Sequence, residues 1–139
     1  MADQLIIICK QKGAIMIKAV NKVLEDLVSL KSINPPGAEE PVCQYIQTYF
    51  QELEIEVTLQ EVEPGRHNLL ARLPGKSSDA LLFTGHMDVV PVSPAEAERW
   101  RTDPFKPVVA DGRLYGRGTS DMKSGLAAIM TTMTNLKTS

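Results

Sequence analysis

The stretch that decides the fold is residues 80–88, which read Ala-Leu-Leu-Phe-Thr-Gly-His-Met-Asp. Its apolar part, residues 80–84, follows a polar turn and predicts a short central strand that is buried on both faces. Ligands of α/β folds gather at the carboxyl ends of such strands, and the chain places His86 and Asp88 there. In an extended backbone these two side chains point to the same side. One imidazole nitrogen can then bind a metal ion while the carboxylate holds the other N–H. A structural histidine that is satisfied by its neighbours explains the pair equally well.

The segments before this stretch alternate between helix and strand patterns. Apolar residues at helical spacing predict two helices, and alternating apolar and polar residues predict strands. The predicted helices are residues 17–33 and 39–53, and the predicted strands are residues 54–62 and 68–73. The first helix is expected to end near Ile33 because Asn-Pro-Pro-Gly follows, and proline cannot continue a helix. This alternation is typical of the α/β class.

The carboxyl-terminal half of the chain predicts a long loop, a hairpin and a third helix. Residues 91–107 contain four prolines, and loops of this length are usually functional. Residues 108–110 and 113–115 flank Asp111-Gly112, a pair that favours a tight β-hairpin. The third helix is predicted to begin at Met122.

A glycine-rich segment joins the hairpin to the third helix. Residues 116–125 read Gly-Arg-Gly-Thr-Ser-Asp-Met-Lys-Ser-Gly, and glycines permit unusual backbone angles and close approach. Asp121 falls at the start of the predicted helix, where a carboxylate commonly caps the backbone N–H groups. Capping explains Asp121 but not the glycines around it, so a ligand role for this carboxylate stays open.

Three further patterns indicate other chemistry only weakly. Gly116-x-Gly118 does not complete a dinucleotide-binding glycine motif. Ser120-x-x-Lys123 matches a short pattern of serine acyl-transferases, but the SDN and KTG partners of that pattern are absent from the sequence. His67, the other of the two histidines, begins a predicted strand and is interpreted as structural or solvent-facing.

Composition and charge exclude several classes of function. The chain has 139 residues, a formal net charge of -2, 43% hydrophobic residues and 23% charged residues, all within the globular range. The charge balance gives no case for binding to nucleic acid, and no apolar run approaches the ~20 residues of a membrane span.

Cys9 and Cys43 form no CxxC pair, so reduced thiols in a cytoplasmic protein are expected. Residues 1–15 are interpreted as an extension ahead of a start at Met16, and residues 16–139 as the domain.

Two motifs in order, linked by a tryptophan and an Asp-Pro-Phe segment, carry a resemblance to a known family. They are residues 81–91 (LLFTGHMDVVP), Trp100 with residues 103–105, and residues 111–125 (DGRLYGRGTSDMKSG). From about residue 17 onward the chain resembles the amino-terminal part of the dinuclear-zinc aminoacylase and carboxypeptidase family, which includes acetylornithine deacetylase and succinyl-diaminopimelate desuccinylase. The resemblance implies the truncated amino-terminal part of a zinc-peptidase-like catalytic domain, with a mixed sheet flanked by helices.

The resemblance implies a role for three residues. His86 would bind one zinc ion, and Asp121 would bridge two. Asp88 would act in catalysis by holding the His86 ring without touching the metal. The Asp121–Met122 peptide would be cis, and Co²⁺ could replace Zn²⁺. Two metals ~3.5–4 Å apart polarise an amide carbonyl and generate hydroxide at neutral pH, and a bridging carboxylate sets that spacing.

The resemblance also indicates which groups have no counterpart here. The family uses a Glu-Glu pair after the third helix as general base and zinc ligand, a further acidic ligand, and a histidine near the carboxyl terminus. Residues 122–139 contain no Asp, Glu, His or Cys. The family's small inserted domain, which often makes its homodimer, is absent as well. A catalytic zinc takes about three protein ligands, so this chain alone is expected to be inactive.

Two classes of function remain open on the sequence. The first is metal-dependent hydrolysis of a linear amide in an N-acyl amino acid or short peptide. Within it, succinyl-diaminopimelate desuccinylase, an enzyme of lysine biosynthesis, is favoured over acetylornithine deacetylase and metallopeptidases. The second class is an inactive truncated fragment or a non-catalytic binding module. The motifs indicate descent from the enzyme and do not separate the two classes.

Overall fold

The computed structural model describes Leu5–Ile6 and residues 17–139. Its helices are α1 (Ile17–Ser29), α2 (Glu40–Glu52), α3 (Pro94–Ala97) and α4 (Ser124–Lys137), and its strands are β1 (Leu5–Ile6), β2 (Glu56–Glu63), β3 (Arg66–Arg72), β4 (Val108–Ala110) and β5 (Arg113–Tyr115). Helices and strands alternate, so the α/β class is confirmed. Among the described residues, no helix combines the length and apolar character needed to cross a membrane. The extension predicted for residues 1–15 lies outside the described residues except for β1.

One apolar core joins α1, α2, α4 and β3. The stripe predicted on the second helix is confirmed, because Val42, Ile46 and Phe50 are all fully buried. Each large apolar side chain buried in this way contributes about 1.5–3 kcal/mol. α1 packs against α4, and the ends of these two helices lie beside the candidate site. The fully buried core side chains of the other elements are Leu27, Val28, Leu69, Leu126, Ala127, Met130 and Met133.

The larger sheet has three strands in the order β1-β3-β2. β1 pairs with β3 in parallel, with Leu5 opposite Leu69. β2 pairs with β3 in antiparallel register, with Val57 opposite Ala71. The sheet therefore has one parallel and one antiparallel pair of strands, and α2 packs against β2 and β3.

The prediction of a central strand at residues 80–84 is wrong. These residues form no ladder in the described chain, apart from a single bridge position at Phe83. Leu81 and Leu82 are 52% and 54% exposed. The three-stranded sheet has its outer edges along β1 and β2, and no strand pairing joins residues 80–84 to either edge among the described residues. An apolar run needs a neighbouring strand as well as its own composition to become a buried central strand.

The first helix ends earlier than predicted, at Ser29 rather than near Ile33. Residues 32–34 instead run alongside Val89. The Val89 N–H donates to the Ser32 carbonyl at 2.8 Å, and the Asn34 N–H donates to the Val89 carbonyl at 3.0 Å. Ile33 and Val89 form an isolated parallel bridge. This short pairing, not a central strand, fixes the chain just after His86 and Asp88.

The predicted hairpin is confirmed, and it begins the segment that leads to Asp121. β4 and β5 pair in antiparallel register, with Val108 opposite Tyr115. The turn residues Asp111 and Gly112 have φ of 51° and 70°, as a tight two-residue hairpin requires. α3 interrupts the long proline-rich loop, and the Ser93 hydroxyl caps it by accepting the Glu96 N–H at 3.2 Å.

Candidate metal centre

His86 lies between two carboxylates. Its Nδ1 atom is 2.8 Å from Oδ1 of Asp88 and 3.1 Å from the Asp88 carbonyl oxygen. Its Nε2 atom is 2.9 Å from Oδ1 of Asp121. The structure therefore brings all three predicted site residues together, in a cleft of about 240 Å³ that residues 116–120 also line. A larger cleft of about 410 Å³ lies between Trp100 and the β4–β5 hairpin and contains none of the three.

The surroundings of His86 favour its protonated form. Partial burial of the ring acts to lower the pKa, but the hydrogen bond to Asp121 and the negative charges of Asp88 and Asp121 outweigh burial. The pKa of His86 is therefore raised above its usual value of 6.5. The imidazolium donates from both ring nitrogens, one to each carboxylate. A divalent cation between Nε2 and Asp121 would take the place of the Nε2 proton, while Asp88 would still hold Nδ1–H.

Asn34 is a site residue that the sequence reasoning missed. Its side-chain Nδ2 donates to Oδ2 of Asp88 at 3.0 Å, which leaves Oδ1 of the same carboxylate for His86. The sequence analysis used Asn34 only as part of a helix stop. No motif spacing links it to Asp88, because the two residues meet only through the Ile33–Val89 bridge.

The backbone around Asp121 is not helical. Residues 119–123 form a tight irregular turn in which Asp121 has φ -131° and ψ 104°. The Asp121–Met122 peptide is cis, as the resemblance implied. α4 begins at Ser124, two residues later than predicted, and its N-cap is Lys123. The alternative of Asp121 as a helix cap is therefore wrong, and its carboxylate contacts His86 instead.

The backbone conformation at residue 118 and the close packing around it both favour glycine there. It has φ 86°, and a Cβ atom there would lie 2.6 Å from Val89 Cγ1 and 3.2 Å from Lys123 Cδ. Both neighbours are buried, so neither can move aside easily.

We expect Gly118→Ala to lower the free energy of unfolding by about 2–4 kcal/mol, since it combines a strained φ with overpacking. The matched control is Gly75→Ala, because a Cβ at Gly75 meets nothing within 4 Å. That control should stay within about 0.5 kcal/mol of wild type in urea denaturation. Equal stability of the two variants would contradict the close packing of Gly118.

The competing patterns are not assembled into sites. Lys123 is fully buried and donates from Nζ to the Leu27 and Leu30 carbonyls at 2.8 and 2.7 Å. Ser120 is exposed, and the structure shows no hydrogen bond between it and Lys123 among the described residues. His67 is half-buried in β3, where it pairs with Glu61 of β2. Its interpretation as a structural residue agrees with this position.

The donor atoms at His86 and Asp121 fit two ligand positions of one divalent metal ion. An imidazole nitrogen and a carboxylate oxygen are typical zinc ligands. The Asp121 side chain is 86% exposed, so it can turn to admit an ion. Glu96 is engaged elsewhere, in an ion pair with Arg117. Within the part of the chain that the structure describes, no group of three or more His, Cys, Asp or Glu side chains could hold a metal ion. Two side chains do not complete a metal site, so a ligand role for His86 and Asp121 is a proposal.

Comparison with known proteins identifies the class. Residues 82–139 match the sequence model of Peptidase family M20/M25/M40. A probable succinyl-diaminopimelate desuccinylase of Staphylococcus aureus is 37% identical over 116 residues, which cover 84% of this chain and 28% of the relative. Succinyl-diaminopimelate desuccinylase of Wolbachia pipientis is 41% identical over 110 residues, 79% of this chain and 26% of the relative. N-formyl-4-amino-5-aminomethyl-2-methylpyrimidine deformylase of Halalkalibacterium halodurans is 37% identical over 118 residues, 82% of this chain and 27% of the relative.

These matches confirm the family resemblance, since residues 82–139 match the model of Peptidase family M20/M25/M40. The chain spans little more than a quarter of the length of the curated relatives it matches. The matched segment begins before His86 and includes Asp88 and Asp121.

Proposed function

We propose that this chain supplies the His86–Asp121 part of the metal centre of an amide hydrolase that acts on N-acyl amino acids. The contact of 2.9 Å between His86 Nε2 and Asp121 Oδ1 carries this proposal. It brings an imidazole nitrogen and an exposed carboxylate together, inside the segment that matches the family, which supports a ligand role for both. When bound there, a divalent ion such as Zn²⁺ or Co²⁺ supplies Lewis acidity toward an amide carbonyl and toward water.

In this proposal Asp88, Asp121 and Asn34 have different roles around His86. Asp88 accepts from His86 Nδ1 and so holds the ring with Nε2 facing Asp121, where a bound ion would replace the Nε2 proton. Asp121 contributes carboxylate oxygens, and its exposure leaves the second oxygen free to reach a second ion in the bridging role that we propose. Asn34 holds the Asp88 carboxylate through Oδ2, which leaves Oδ1 for His86. The described residues provide no general base, so we derive no hydrolytic step from them.

N-succinyl-diaminopimelate is the substrate that we propose first. Two of the relatives carry the name of a desuccinylase for this compound. The deformylase relative acts, by its name, on an N-formyl group, and both names describe removal of an acyl group from nitrogen. The shared chemistry supports linear amide hydrolysis more strongly than any one acyl group. N-acetylornithine is the second substrate to test.

A chimeric enzyme tests the proposal. The matched 116 residues of the S. aureus relative would be replaced by those of this chain. We expect the chimera to hydrolyse N-succinyl-diaminopimelate with added zinc or cobalt, and His86→Ala or Asp121→Asn to abolish the activity. His67→Ala serves as the histidine control and should retain activity. A folded chimera that binds no metal would contradict the proposal and favour a non-catalytic module, the alternative that the incomplete ligand set supports.

The same chimera can show whether Asp88 acts through His86 or binds the metal directly. We expect Asp88→Ala to reduce turnover by about 10–100-fold while most of the metal stays bound, because the residue acts through the His86 ring. Metal content by elemental analysis and turnover would be measured on the same sample. Asp79→Ala, an exposed aspartate outside the cleft, is the control. Complete loss of one metal ion with the fold intact would instead make Asp88 a direct ligand.

A further inference from the structure

The His86 half of the site is tied to the end of α1. Val89 is buried, and its backbone N–H and carbonyl are bonded to Ser32 and Asn34. Asn34 is bonded twice over: its backbone N–H donates to Val89 and its side chain donates to Asp88 at 3.0 Å. A shift of residues 32–34 would therefore move the Asp88 carboxylate and, through it, the His86 ring.

The Asp121 half is tied to the same part of the chain by a different residue. Lys123 closes the turn around Asp121, because its backbone N–H donates to the Gly118 carbonyl at 2.9 Å. Its ammonium donates to the carbonyls of Leu27 and Leu30, at the end of α1. The Leu27 carbonyl also accepts the Leu30 N–H at 3.3 Å, and a cation is favoured at the carboxyl-terminal end of a helix by the helix dipole.

The two halves meet at Gly118. The space that a side chain would occupy there is filled by Val89 from the His86 half and by Lys123 from the Asp121 half. Val89 and Lys123 thus pack on the same point, and each is hydrogen-bonded to the segment from Leu27 to Asn34. The two halves are thus joined by packed and hydrogen-bonded residues.

We propose that residues 27–34 are the common support of the site, and that Asn34 and Lys123 are positioning residues that set the separation of His86 and Asp121. The inference rests on the proposed metal-binding role of these two side chains. Asn34 acts through Asp88 on the ring of His86, and Lys123 acts through the turn on the carboxylate of Asp121. Neither residue touches the metal or the substrate.

A zinc titration of the full chain tests the positioning role without any measurement of activity. The ring signals of the two histidines are followed by heteronuclear NMR, so that His67 serves as a reference within each spectrum. In wild type we expect zinc to shift the His86 signals and to leave those of His67 unchanged. In Asn34→Ala the zinc concentration for half of the His86 shift should rise by about 10-fold, the usual size of an effect exerted through a ligand's supporting residue. Asn68→Ala, which removes an exposed amide contact to Gln60, is the matched control and should match wild type.

A double-mutant cycle separates positioning from general stability. If Asn34 acts through Asp88, then Asn34→Ala should cause no further loss of zinc affinity in an Asp88→Ala background. Lys123→Met should weaken zinc binding by a similar factor, whereas Lys137→Met, which removes an exposed lysine–carbonyl bond at the end of α4, should not. If Lys123→Met does not fold, the Asn34 cycle decides alone.

The zinc titration distinguishes a failure of the proposed function from a failure of the positioning role. If Asp121→Asn leaves the zinc response of His86 unchanged, or wild type shows no response, the proposed function fails. If Asp121→Asn removes the response but Asn34→Ala and folded Lys123→Met bind zinc like wild type, only the positioning role is overturned. Additive losses from Asn34→Ala and Asp88→Ala would also overturn it, because they would show that Asn34 acts by another route.

Discussion

The purified protein of 139 residues is expected to hydrolyse neither N-succinyl-diaminopimelate nor N-acetylornithine, even with zinc or cobalt added. Residues 122–139 contain no Asp, Glu, His or Cys, so the glutamate general base that the family resemblance implies has no counterpart after the Asp121 turn. Loss of a general base alone removes about 10²–10⁴-fold in rate. The ligand set compounds this loss, because a catalytic zinc takes about three protein ligands and the site supplies two.

The assay would use protein free of host deacylases, with the metal content measured on the same preparation. Turnover of about 1–10³ per second that His86→Ala abolishes would contradict this expectation. It would mean that another acid of the chain, such as Glu98 or Asp111, completes a site that the structure does not reveal, or that two chains complement each other. His67→Ala is the control for any activity that depends on a histidine.

Replacement of Lys123 is expected to have a large effect on stability. Lys123→Met keeps the length of the side chain but removes the donor that serves the Leu27 and Leu30 carbonyls. A hydrogen bond from a charged group contributes about 1.5–3 kcal/mol, and burial of methionine in place of an ammonium offsets part of the loss. We expect the free energy of unfolding to fall by about 2–4 kcal/mol, measured by urea denaturation.

Lys137→Met is the matched control for this measurement. Its ammonium also donates to a backbone carbonyl, that of Glu54 at 3.2 Å, but it is exposed. An exposed substitution of this kind stays within about 0.5 kcal/mol of wild type. If Lys123→Met were as stable as wild type or more so, the buried ammonium would be a net cost that apolar packing removes. The end of α1 would then not depend on it.

Local patterns in the sequence were sufficient to predict the elements whose cause is local. The second helix has its apolar stripe buried at Val42, Ile46 and Phe50, because helical spacing determines which side chains share a face. The hairpin follows from Asp111-Gly112, whose positive φ angles that pair tolerates. In both cases the residues that decide the structure are neighbours in sequence.

The predictions are wrong where a segment that is distant in sequence determines the local structure. Residues 80–84 have the composition of a central strand, but no strand pairing joins them to either edge of the three-stranded sheet among the described residues, and no local pattern carries that information. α1 ends at Ser29 because residues 32–34 are bonded to Val89 and the Leu27 and Leu30 carbonyls are bonded to Lys123. The helical pattern continues past this point, so the sequence alone overestimates the length of the helix.

In the candidate site, too, contacts between sequence neighbours were predictable and contacts between distant segments were not. His86 and Asp88 are two residues apart, and their orientation to one side was predicted from the extended backbone. The proximity of Asp121 was expected from the family resemblance and not from spacing. Asn34 was missed because its contact with Asp88 depends on a backbone pairing between segments far apart in the chain. The roles of these residues stay predictions until a metal ion is placed.

X-ray absorption spectroscopy of the zinc-loaded protein at the zinc edge would test the central claim most directly. We predict one histidine nitrogen and one carboxylate oxygen at about 2.0–2.2 Å with water completing the shell, and loss of the histidine scattering in His86→Ala but not in His67→Ala. Histidine scattering that persists in His86→Ala, or a sulfur neighbour at about 2.3 Å, would place the metal elsewhere and contradict the account.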